Sequence, residues 1–115
     1  MKLLIQNGRV IDPATGFDHT ADIAVQDGRI VAIAKAGEKL PAGFQAEQTI
    51  NAKDCVVAPG LVDLQMRLRE PGHEHEGMLD SELKAAVAGG VTSLVCPPDT
   101  DPVLDEPGLV DMLKF

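Results

Sequence analysis

Along its first half the chain alternates short apolar runs with turn dipeptides. Leu3 to Gln6 and Arg9 to Ile11 flank Asn7-Gly8, and Ile23 to Gln26 and Arg29 to Ala34 flank Asp27-Gly28. Asn-Gly and Asp-Gly between apolar strands favour turns whose central residues both need positive φ, so this spacing predicts two β-hairpins. The segments Asp12 to Gly16 and Ala36 to Phe44 read as loops. Gln48 to Asn51 and Cys55 to Ala58 predict one more strand pair around Ala52-Lys53-Asp54. Residues 1 to 57 are thus expected to form small antiparallel strands.

The pattern changes at Pro59-Gly60. From Leu61 to Leu68 apolar residues alternate with Asp63, Gln65 and Arg67, and Arg69 follows. On a strand a period of two puts these four polar groups on one face and Leu64, Met66 and Leu68 on the other. Met78 to Ala88 has a helical period, with Leu79, Leu83, Ala86 and Val87 on the inner face, and Gly89-Gly90 ends it. Val91 to Cys96 reads as a short buried strand. Strand, helix and strand in this order predict a right-handed βαβ unit. Asp105 is the expected N-cap of a last helix with Pro107 in its first turn and Leu109, Val110 and Leu113 inside, running on to Phe115.

Composition narrows the function classes. The net charge of −8 and the absence of a basic patch argue against a nucleic-acid partner. No apolar run is long enough for a membrane span, and a cytoplasmic protein is the expectation. Cys55 and Cys96 form no close pair and are expected to be buried thiols. Asp18-His19 reads as a solvated turn rather than a metal pair. His73 and His75 form the one His-x-His of the chain, in a Pro-Gly loop. Loops seldom fix two imidazoles at zinc distance unless further ligands stand nearby, so they are not expected to be ligands.

The stretch Pro59-Gly60, two apolar residues, then Asp63-x-Gln65-x-Arg67-x-Arg69-Glu70-Pro71-Gly72 resembles the first barrel strand of the cyclic amidohydrolases, dihydroorotase in particular. In that family the pattern is Asp-x-His-x-His-x-Arg-Glu-Pro-Gly, and the two histidines bind metal at the mouth of a (β/α)8 barrel. The resemblance implies a β-sandwich portion over residues 1–57, in which the C-terminal end of the family's longer chain completes the sheet. Residues 58–115 would then be the first two βα units of the barrel. A closed barrel needs roughly 250 residues, so 115 suggest the N-terminal part of a longer protein. Cys96-Pro-Pro-Asp-Thr-Asp-Pro102 is similar to the family's Met-Pro-Asn-Thr-x-Pro stretch. There the Asn and the Arg matched by Arg69 hold the substrate carboxylate, and here Asp99 replaces the Asn.

Gln65 and Arg67 stand where the resemblance places the metal ligands. A Gln carbonyl is a weak neutral donor, and a guanidinium has no lone pair to give. An Arg charge about 5 Å from a divalent cation costs about 6 to 7 kcal/mol at an effective dielectric of 20. That is near half of the ~10 to 16 kcal/mol gained by a complete structural zinc site. No metal and no catalytic residue are therefore expected here, and Arg69 and Asp99 would be vestigial substrate-binding positions. Two carboxylates about 4 Å apart repel by about 4 kcal/mol at the same dielectric, so Asp99 opposes the anion that Arg69 would attract. Arg67 and Asp99 lie at neighbouring strand ends. Either the guanidinium pairs with the new carboxylate in the old metal position, or both face solvent.

Three functions follow. The first is a catalytically silent dihydroorotase-like protein of pyrimidine biosynthesis, an oligomer similar to the inactive homologues that are structural partners of aspartate carbamoyltransferase. The second is an active zinc-dependent dihydroorotase or related hydrolase of cyclic amides, with ligands from the rest of a longer chain. The third is a stand-alone binding module with a closed core, whereas a barrel fragment exposes apolar strand faces.

Overall fold

The computed structural model describes residues 1–113, and the end of the last expected helix at Lys114 and Phe115 lies outside them. The chain divides into two compact units, Met1–Pro59 and Gly60–Phe115. The first is a five-stranded sheet of β1 (Lys2–Asp12), β2 (Phe17–Gln26), β3 (Arg29–Lys35), β4 (Gln48–Asn51) and β5 (Val56–Val57). β1 pairs antiparallel with β2, which pairs antiparallel with β3, while β4 and β5 lie in line along the other edge of β1.

Two expectations are corrected here. Asn7-Gly8 is not a hairpin turn but an irregularity inside one continuous strand, with a register shift between Ile5 and Gly8. Asn7 has φ 65°, but Gly8 does not join it at positive φ, and the reversal needs both. The Asn7 amide instead donates to Asp22 Oδ1 at 2.9 Å. A side chain on Gly8 would meet Val57 Cγ2 at 2.5 Å, so glycine is required by the close approach of β5. The chain reverses at residues 13–16, where Asp12 accepts from the Ala14 amide at 3.0 Å and the Thr15 hydroxyl at 2.7 Å. Second, Gln48–Asn51 and Val56–Val57 do not pair with each other. Both pair in parallel with β1, one on each side of the Gly8 irregularity. The turn between them, with Asp54 at φ 64°, only steps past that point. The Asp27-Gly28 hairpin forms as expected, with φ of 51° and 75°.

The period of two sets the core of this unit. Ile5 and Ile23 are paired across the sheet, and Val10, Ala21 and Ile23 form a buried cluster with Ile5, Phe17, Val25 and Val57 against it. The alternate residues Leu4 and Ala24, also paired, are buried as well. An open apolar hollow of about 330 Å³ lies on the Ile23 face, lined by Ile5, Val25, Ile30, Ile33 and Val57. Ile30 remains 62% exposed at its rim.

The second unit contains β6 (Leu61–Asp63), α1 (Leu79–Ala88), β7 (Val91–Leu94) and α2 (Pro107–Met112). β6 and β7 are parallel neighbours, as a strand-helix-strand unit requires. Gly60 sits so close to Thr92 that any side chain would collide with it. Gly90, at φ 90°, ends α1 with its amide on the Val87 carbonyl. The expected strand to Leu68 is shorter, because the Asp63 carboxylate takes the Gln65 amide at 2.9 Å. The ladder skips a residue there, running from the Val95 amide to the Asp63 carbonyl and from the Met66 amide to the Val95 carbonyl. The alternation fails with it: Leu68 is buried, but Leu64 is 74% exposed. The inner faces expected for the helices are incompletely covered, and no residue of α1 or α2 is buried. Glu106, not Asp105, is the N-cap of α2, and its side chain makes no capping bond. No helix among the described residues is long and apolar enough to cross a membrane.

Candidate functional site

The polar groups singled out by the sequence gather where β6 and β7 end. Two loops meet there, residues 64–78 after β6 and 95–106 after β7. The Asp101 amide donates to the Pro71 carbonyl at 3.2 Å, and Gly72, at φ 100°, packs against Asp101 so closely that any Cβ would clash. Thr100 is buried, with its hydroxyl on the Pro102 carbonyl at 3.0 Å. Nothing in the sequence pattern marks Glu70. It accepts the Leu79 amide at 2.8 Å and so ties the end of the first loop to the first turn of α1. Its partner lies nine residues away, and no local period marks it.

Within this frame Arg67 Nε lies 3.1 Å from Asp99 Oδ2. Of the two arrangements open in the sequence, the structure has the ion pair. Arg69 and Asp99 are not paired with each other, for Arg69 Nε lies 3.2 Å from Glu76 Oε2. Each guanidinium is thus neutralised by its own carboxylate. Gln65 is exposed and held by its main chain. Arg67 and Gln65 supply neither thiolate, imidazole nor carboxylate, so these two positions do not fit the metal that the resemblance would place there.

The first loop carries a second cluster. His73, His75 and Glu76 are all exposed, and one ligating atom of each lies within 4.8 Å of the others. His75 Nε2 is 3.7 Å from Glu76 Oε1, and the two imidazole rings are 6.0 Å apart. The sequence showed the pair of histidines but not that Glu76 turns back to join them.

Other expected features fall elsewhere. Asp18 and His19 lie on β2 and not in a turn, because the strand begins at Phe17. Arg9 holds Asp18 through two bonds, of 2.8 and 2.7 Å, and keeps its carboxyl below the usual aspartate range. His19 packs edge-on against Phe17. The cysteines are free, but the expectation that both are buried is corrected. Cys55 is exposed beside the edge strand β5, and Cys96 is half-buried. Burial pushes the Cys96 thiol up, with the Asp63 charge adding to it, so this cysteine is not an activated nucleophile.

No family model matches the chain. It is 49% identical over 113 residues to a dihydroorotase-like protein of Pseudomonas aeruginosa, covering 98% of this chain and 26% of that protein. It is 49% identical over 105 residues to a dihydroorotase of Geobacter metallireducens, covering 91% of this chain and 24% of that one. Among solved structures it is similar to the L-hydantoinase of Arthrobacter aurescens, with a TM-score of 0.80 and 24% identity over 96% of this chain and 23% of the hydantoinase, a likeness of fold. The chain therefore spans about a quarter of the length of the relatives it matches.

Proposed function

Because this chain is, over nearly its whole length, a homologue of the N-terminal quarter of dihydroorotase-like proteins and dihydroorotases, we propose that it is the corresponding segment of a catalytically silent dihydroorotase-like protein. In this reading the strand unit is part of an amidohydrolase β-sandwich. The parallel β6 and β7 with α1 between them begin a (β/α)8 barrel. The whole protein is a structural component of pyrimidine biosynthesis, in an assembly with aspartate carbamoyltransferase.

The observation that carries the silent reading is the Arg67–Asp99 ion pair. A cation fixed by a carboxylate occupies the position where the resemblance puts a zinc ligand. Without a metal nothing pulls the ionisation of a hydrolytic water down toward neutrality, and amide attack at neutral pH is lost. The stand-alone module is disfavoured, since Leu61, Val62, Leu64 and Val87 are each at least 60% exposed and the described residues of their unit form no closed core. The test is dihydroorotate turnover by the full-length protein, together with its copurification with aspartate carbamoyltransferase. The silent reading expects no turnover and a stable complex.

The second reading, an active cyclic amidohydrolase, is favoured by one finding: relatives named dihydroorotase share 42 to 49% identity with this chain. It requires measurable hydrolysis in the same assay.

A further inference from the structure

The loop between β6 and α1 is held by bonds that leave three donor atoms facing one another. The His73 amide donates to the Arg69 carbonyl at 2.7 Å and the Glu76 amide to the His73 carbonyl at 2.9 Å, closing a turn over residues 73–76. The Gly72 amide is held by Glu74 Oε1 at 2.9 Å, and Arg69 fixes one oxygen of Glu76 at 3.2 Å. The other oxygen of Glu76 is left toward His75 Nε2, 3.7 Å away. Donors bound to one tetrahedral zinc ion at 2.0 to 2.1 Å stand about 3.3 Å apart. The three donors stand wider than this, within 4.8 Å of one another, on side chains that are all exposed.

From this geometry we infer that His73, His75 and Glu76 form a surface site for a divalent transition-metal ion of the zinc class. Two imidazoles and a carboxylate are the donor set such ions prefer over magnesium or calcium, and a water completes the fourth position. This site is independent of the proposed function and distinct from the Gln65 and Arg67 positions. There the donors themselves are missing, whereas here three are present and Arg69 acts on Glu76 as the partner that orients a ligand from behind. The Glu76 charge stands between Arg69 and the ion and offsets part of the repulsion, and what separates this site from the Arg67 position is its three donors.

The test is zinc titration of the untagged full-length protein by calorimetry, with Co2+ absorption as a second readout of four-coordinate geometry. The expected result is one saturable Zn2+ per chain, with at least a tenfold loss of affinity in each of His73→Asn, His75→Asn and Glu76→Gln. Arg67→Met, by contrast, leaves binding unchanged. All three ligand side chains are exposed, so these substitutions leave the fold intact, and unchanged circular dichroism checks it. Absence of saturable binding, or binding indifferent to the loss of both histidines, overturns the inference.

Discussion

Arg67 and Asp99 are joined by an ion pair of 3.1 Å across the ends of two parallel strands, one on the loop that follows each. The side chains are 59% and 45% exposed, so water screens the attraction. A double-mutant cycle with Arg67→Met and Asp99→Asn is expected to give a coupling of about 0.2 to 1 kcal/mol by urea denaturation. A coupling near zero would show that the pair is not held in solution.

Gly8 is required by contact rather than by φ. Gly8→Ala places a methyl group 2.5 Å from Val57 Cγ2, and the expected loss of stability is about 1 to 3 kcal/mol, measured by thermal or urea unfolding. Val57→Ala in the same background is expected to recover part of it.

Glu70 accepts the first amide of α1 at 2.8 Å. Glu70→Ala is expected to cost about 0.5 to 2 kcal/mol, as losses of a helix cap do. Amide hydrogen exchange should rise in the first turn of α1 and stay unchanged in β1 and β2.

The Arg9–Asp18 pair gives the strand unit an acid-sensitive contact. The hydrogen bonds from Arg9 hold the Asp18 pKa below its unfolded value of about 3.9. A depressed folded value means that the contribution is complete above the unfolded pKa and disappears as pH falls through the folded one. NMR titration of the Asp18 carboxyl should therefore give a midpoint below that of an ordinary aspartate, moving upward in Arg9→Met. A midpoint that does not move on losing Arg9 would contradict this assignment.

Local signals were legible in the sequence where the deciding contacts are local. Asp27-Gly28 specifies its turn because both residues take positive φ, and Gly90 stops α1 for the same conformational reason. Asn7-Gly8 misled because the same dipeptide also serves a strand irregularity, and the choice rests on Val57 and Asp22, far away in sequence. The Arg67–Asp99 pair was accessible because parallel neighbours bring their ends together. The residue skipped at Gln65, the Glu70 tether and the return of Glu76 to the histidines depend on side-chain bonds to particular amides or charges, which no hydrophobic period records.

In the silent reading a guanidinium holds the position a hydrolase would give to zinc. It is tested most directly by anomalous diffraction at the zinc edge from crystals of the full-length protein grown with zinc. No peak bonded to Gln65 or Arg67 and an intact Arg67–Asp99 pair are expected, whatever the loop of His73 and His75 holds. A zinc ion coordinated by residue 65 or 67 would contradict it.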